Sequence, residues 1–270
     1  MNDLLREHAP ISQQAWKQID EEATRTLKTL LAARRFVDFV GPLGWAAVTV
    51  PTGRTQTLND SLQEGVVSRL RLSQPLIEIR IPFEVSREEL DAIGRGASDP
   101  DLDSVRNAAR AAAVAEDRAV FQGYNAGGIQ GIFAASARQS LTIPNDYEAY
   151  PDVVAEATHR LRSAGVDGPY GVALGPRCYT GLTRSTTRGY PIINHVRALV
   201  DGPIIWAPAA NGAVVFSMRG GDFELTVGQD FSIGYLDHTS TSVLLYLQES
   251  FTFRVLSPEA AVPLTYAQAS

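Results

Sequence analysis

Cysteine is nearly absent: Cys178 stands alone, so no disulfide can close within the chain and no thiolate cluster can hold a metal. The four histidines, His8, His159, His195 and His238, have no second histidine or carboxylate at i+3 or i+4, the spacing that makes a metal-binding helix face. Basic residues are in deficit. Twenty-four Lys plus Arg against 30 Asp plus Glu leave a formal net charge of -6. No block of five like charges occurs, so no nucleic-acid partner held by a basic surface is expected. Long apolar runs are missing too. Nothing approaches the roughly 20 residues of a membrane span, and Asp3, Arg6, Glu7 and His8 interrupt the stretch where a signal peptide needs an apolar core. No membrane partner is expected, and a reducing cytoplasm fits best.

Catalytic signatures also fail on inspection. Asp99-x-Asp101-x-Asp103 opens like a calcium loop, but its sixth and twelfth positions hold Ser104 and Arg110 instead of Gly and Glu. Asp237-His238 lies near Ser240 and Ser242 without a Gly-x-Ser-x-Gly elbow, and sequence neighbours rarely form a triad. The glycines from Gly123 to Gly131 lack dinucleotide-turn spacing and follow a helix instead of a strand. No catalytic residue and no bound metal are expected.

What remains is a chain of 270 residues, 44% hydrophobic, long enough to bury a real core. Ser12 is placed to cap a helix running to about Ala33, with Trp16, Ile19, Ala23, Leu27, Leu30 and Leu31 on one face and Lys17, Glu21, Arg25 and Lys28 on the other. Residues 46–82 mix apolar alternation with turn residues and are predicted to form a long β-hairpin arm. Gly94 to Pro100 is predicted to be a linker. Asp101 to Gln122, Ala-rich and free of Gly and Pro, predicts one helix of about 20 residues. From 134 to 215 helical patterns alternate with short strands at Gly171–Leu174 and Ile204–Ala207, as in an inserted α/β subdomain. The tail returns to strands at Phe223–Val227, Phe231–Leu236 and Val243–Val255.

The segment Leu31 to Trp45, Leu-Ala-Ala-Arg-Arg-Phe-Val-Asp-Phe-Val-Gly-Pro-Leu-Gly-Trp, closely resembles the pattern that follows the N-terminal helix in encapsulins. The likeness continues in order through Pro75–Glu78, Glu116-Asp117, Phe121–Gly123, Gly168–Tyr170, Arg219–Phe223, Gly228–Asp230, Ser232–Tyr235 and Glu249–Phe253. It implies an α+β chain with the tailed-bacteriophage major capsid protein fold plus an added lumenal N-terminal helix. The divisions it implies are 1–45 for the helix and docking segment, 46–82 for the E-loop arm, 83–133 with 216–270 for the P-domain, and 134–215 for the A-domain.

The resemblance further implies a non-enzymatic shell protein. About 60 copies would close the simplest icosahedral cage by heterologous contacts, around a cargo enzyme such as a dye-decolorizing peroxidase or a ferritin-like protein. Carried onto this chain, the groove for the cargo's C-terminal peptide is Leu27, Leu31, Arg34, Phe36 and Asp38 with Ile233 and Tyr235. These apolar residues also suit simple packing of the helix on the sheet. Ser185, Thr186, Thr187, Arg188 and Gly189 are expected to form a loop lining the pore at the fivefold axis. Some encapsulins stack a flavin between a Trp and a Tyr; here the first stretch reads Ser86-Arg87-Glu88-Glu89, with Tyr190 the candidate for the second ring. One aromatic face is missing, and no cofactor is expected. The competing readings are a phage or prophage major capsid protein that packages DNA, and a peptidase or bacteriocin-like lytic protein, which needs a nucleophile and base.

Overall fold

The computed structural model describes residues 4–60, 62–144 and 146–267. Helix α1 (Gln13–Leu30) starts where Ser12 Oγ accepts a hydrogen bond from the Ala15 amide at 3.2 Å. It buries Ala15, Trp16, Ile19, Ala23, Leu27 and Leu30, the stripe that the three- and four-residue spacing predicts. It stops at Leu30, short of Ala33. Both carboxylate oxygens of Asp117 take up the amides of Ala32 and Ala33, at 2.9 and 3.0 Å, and so hold the chain in a 3-10 turn over Ala33–Arg35.

A short strand β1 (Asp38–Val40) follows, then β2 (Thr49–Thr57) and β3 (Arg69–Pro75), which among the described residues pair with each other and with no other strand. Almost every residue of this hairpin is exposed. The next strand, β4 (Ile77–Ser86), corrects the predicted arm of 46–82. It leaves the hairpin and pairs antiparallel with β13 (Ser242–Val255), from Ile77↔Phe251 to Ser86↔Ser242. The reason is its alternation: Phe83 and Val85 are buried against α1 and α3, a face no free arm could cover.

Helix α2 (Arg87–Gly94), which the sequence reading did not predict, is capped by Ser86 and fills most of the stretch ahead of the linker. Helix α3 (Asp103–Phe121) carries Ala108, Ala109, Ala112 and Ala113 on its buried side; small side chains bring its axis close to α1 and β4. Arg106 reaches across to Glu22 of α1 at 3.4 Å.

The second region holds α4 (Ile132–Ala135), β5 (Leu141–Thr142), α5 (Tyr150–Ser163), β6 (Tyr170–Leu174) and α6 (Pro176–Arg184). The chain continues through β7 (Thr186–Thr187), β8 (Tyr190–Pro191), α7 (Ile192–Leu199), β9 (Ile204–Trp206) and β10 (Ala213–Ser217). The tail gives β11 (Phe223–Val227), β12 (Ser232–His238) and β13, then β14 (Ala261–Thr265). One five-stranded sheet joins β1, β11, β13, β12 and β4; the other runs β5-β14-β10-β6-β9. The expected tail segment 216–270 is thus divided. β14 turns back into the second sheet, antiparallel to β10, because Ala261, Val262 and Leu264 are fully buried there.

Leu245 pairs with Phe83 on one side and with Tyr235 on the other, so β4 and β12 flank β13. Two cores result. One lies between α1, α3 and one face of the first sheet; the other runs from the second sheet to Phe36, Phe121, Phe223, Phe251 and Phe253.

Candidate functional site

Two places emerge, the joint below α1 and the tip of the second region. At the joint, Leu27 and Leu31 of the α1 end share one buried apolar cluster with Ile233 of β12, which is 3% exposed, and Tyr235 packs partly buried against it. The outer edge of β12 is occupied by the N-terminal segment, whose Leu4 carbonyl accepts from the Tyr235 amide at 2.8 Å. The Tyr235 hydroxyl meets His238 Nδ1 at 2.5 Å.

Arg34 lies just beyond. Its Nη2 contacts Glu116 of α3 at 2.6 Å and Glu249 of β13 at 2.5 Å, while Nη1 contacts Asp230 in the β11–β12 link at 2.9 Å. Its guanidinium also lies over the rings of Phe39 and Phe231, 5.0 and 4.8 Å from their centroids. Burial disfavours the charge of Arg34, but its hydrogen bonds to Glu116 and the charges of Glu116, Glu249 and Asp230 prevail and raise its pKa further. Glu249 is pushed well above the carboxylate range, first by burial and then by the negative charge of Glu116. Asp117, beside them, is pushed up to about 7 by burial, against the two amides of Ala32 and Ala33 that favour its ionised form. The joint thus ties the 3-10 turn that follows α1 to α3, β13 and the β11–β12 link through one cation.

Not all seven predicted groove residues share a surface. Phe36 points inward, stacked on Phe216 at 4.0 Å between centroids and near Phe121 and Phe223. Asp38 accepts from the Gly221 amide at 2.6 Å, at the end of β11 opposite the link to β12. The sequence reading missed Phe39, Phe231 and Asp230. Phe39 is 39% exposed and occupies the surface position that Phe36 does not.

At the tip, the predicted loop Ser185–Gly189 is instead part of a short hairpin. β7 and β8 pair as Thr186↔Pro191 and Thr187↔Tyr190, and Arg188 and Gly189 between them have φ of 51° and 80°. Positive φ at both central residues is the type I′ turn that matches strand twist. Tyr190 of β8 meets His195 of α7 edge-on at 5.1 Å and braces the hairpin. Ser86–Glu89, the other stretch considered for a flavin, caps and begins α2.

Among the described residues, Asp237, His238, Ser240 and Ser242 do not assemble as a catalytic set. The Asp237 carboxylate accepts from the His238 backbone amide, not from the ring, and the His238 ring faces Tyr235. Among the described residues, no three His, Cys, Asp or Glu side chains cluster as metal ligands, and no helix is long and apolar enough to cross a membrane.

Residues 1–252 match the family model described as "Encapsulating protein for peroxidase". The type 1 encapsulin shell protein of Rhodospirillum rubrum is 57% identical over 270 residues, covering 98% of this chain and 96% of the relative. That of Mycobacterium tuberculosis is 46% identical, covering 98% of this chain and all of the relative. Among solved structures, a virus-like particle from Pyrococcus furiosus superposes with a TM-score of 0.66 at 17% identity, covering 92% of this chain and 98% of the other. The Microbacterium phage Oxtober96 structure gives 0.60 at 12% identity, covering 88% and 92%. Those two likenesses establish the tailed-phage capsid architecture.

Proposed function

This chain belongs to the encapsulin shell-protein family, and we propose that about 60 copies of it close into an icosahedral cage around a peroxidase cargo in the bacterial cytoplasm. It is a structural shell protein and not an enzyme; the chemistry belongs to the cargo. The peroxidase is favoured over a ferritin-like cargo by the description of the matching family. Identity of 57% along nearly the full length of a type 1 encapsulin shell protein carries this reading over that of a DNA-packaging phage capsid. A lone buried Cys178 suits a reducing compartment.

Assembly is further supported by the β2–β3 hairpin. It exposes Leu58, Leu62, Val66, Val67, Leu70 and Leu72, with Leu62 and Val67 at 89% and 70%, and a two-stranded hairpin is marginal without a partner. Purified alone, the protein should elute as a megadalton particle with a closed shell by electron microscopy. A stable monomer in ordinary buffer overturns the reading.

The cargo peptide docks, in this reading, over the joint. Leu27, Leu31 and Ile233 form the floor, and Arg34, Tyr235, Phe39 and Phe231 form the wall. Phe36 and Asp38 support β1 from behind. Burial of a cargo aliphatic side chain there contributes about 1.5–3 kcal/mol. Phe39→Asp should therefore leave assembly intact and abolish loading in co-expression with cargo. Ile233→Arg, placing a charge under α1, should give insoluble subunit. Full loading of Phe39→Asp shells removes the docking surface from this place. The hairpin at Ser185–Gly189 is assigned to the opening at the fivefold axis.

A further inference from the structure

Between Asp167 and Asp201 the chain contains no acidic residue but four arginines, Arg177, Arg184, Arg188 and Arg197, in a protein whose net charge is -6. The structure gathers them on α6, the β7–β8 hairpin and α7. Among the described residues none of the four forms an ion pair. Arg177 lies over the Tyr266 ring, Arg197 donates to Asn194, and Arg184 and Arg188 are exposed. Arg177 and Arg184, seven residues apart on α6, line an open groove with Thr180 and Ser185 at the base of the hairpin.

Arg188 itself is the informative residue. The first central position of a type I′ turn favours Asn, Asp or Gly, residues that tolerate positive φ, yet a long cation occupies it at φ 51°. Positive φ at a residue other than Gly is uncommon, and here the β7–β8 pairing on either side holds it in place. At the tip of the hairpin its side chain is exposed, and among the described residues no carboxylate pairs with it.

We propose that the hairpin is an electrostatic selector: around the shell opening, symmetry-related copies of Arg188, backed by Arg184, admit small anions in preference to cations of equal size. This rests on the assignment of Ser185–Gly189 to the fivefold opening. A ring of like charges raises the local concentration of counter-charged solutes, and spacing within a Debye length lets the copies add. The class of molecule favoured is a small carboxylate, sulfonate or phosphate, not a metal cation.

The test uses intact shells loaded with a cargo protein that bears one surface cysteine. Two methanethiosulfonate reagents of similar size, one carrying a sulfonate and one a trimethylammonium group, modify that thiol, and their rate ratio is normalised to the free cargo. Wild-type shells should favour the anionic reagent by about fivefold. Arg188→Glu should invert the preference, Arg188→Gln should bring it near unity, and Arg188→Lys should retain it, all in shells intact by electron microscopy. An unchanged ratio in Arg188→Glu shells overturns the proposal. Replacing Thr186–Pro191 with a short Gly-Ser turn separates the two readings. If both reagents then speed up while Arg188→Glu has no effect, the opening is real and the charge selection is not. If neither reagent responds to the shortened hairpin, the opening lies elsewhere and the selector falls with it.

Discussion

Arg34 and Arg188 are the same residue in opposite settings. Arg34 is enclosed by Glu116, Glu249 and Asp230 from three separate elements, whereas Arg188 sits at a turn with no ion-pairing partner among the described residues. One charge is consumed inside the fold, where its work is to hold the turn that follows α1 against α3 and the first sheet. The other is left available to whatever approaches. Charge in this chain is informative about outside contacts only where the fold has not already neutralised it.

The sharpest way to break the comparison is Arg34→Met. It leaves the buried Glu116 and Glu249 facing each other without a cation, and removing one partner of a buried pair typically costs about 3–5 kcal/mol. Soluble shells should be lost or melt far earlier, and the further changes Glu116→Gln and Glu249→Gln should recover much of the loss. Unaltered melting of Arg34→Met shells would show that the joint is not held by its charge.

A smaller effect comes from pH. Asp117, raised to about 7 in the folded protein, keeps a proton there that the unfolded chain releases near the ordinary carboxylate value of about 4. Its contribution to stability is present in full below about pH 4, declines as pH rises towards 7, and is constant above. Glu249, raised by the same causes, adds a decline of the same sign. Melting temperatures of wild-type and Asp117→Asn shells, compared from pH 5 to 8, should show a shallower dependence in the variant. An identical dependence rules out Asp117 as the group responsible.

The smallest effect belongs to Arg188. With no ion pair to lose, Arg188→Gln should change subunit stability by no more than about 0.5 kcal/mol, read as an unchanged melting temperature. A large loss would mean that the tip arginine is structural after all.

Local pattern decided what could be read beforehand. The α1 stripe and its Ser12 cap are short-range signals that stand where the spacing predicts, and the Ala-rich stretch 101–122, free of Gly and Pro, holds α3. The joint is not of that kind: Arg34 lies 82 residues from Glu116 and 215 from Glu249, so nothing in its neighbourhood announces the network. Phe36 and Phe39 belong to one short motif, but a 3-10 turn directly precedes them. Spacing alone therefore could not tell the ring that points inward from the one that points out. β4 was hidden by the turn residues of the arm it follows, and β14 by Pro263 among small residues. Its burial depends on β10, about 50 residues earlier, and not on its own sequence.

The place of β14 also has a consequence in time. Sheet order puts it between β5 and β10, yet it is the last described strand to leave the ribosome. Until Ala261–Thr265 emerges, β10 has an open edge and β5 has no strand to join. A partly synthesised chain can therefore pair β10 with β6 and β6 with β9, but it cannot complete the second sheet before its last described strand is out.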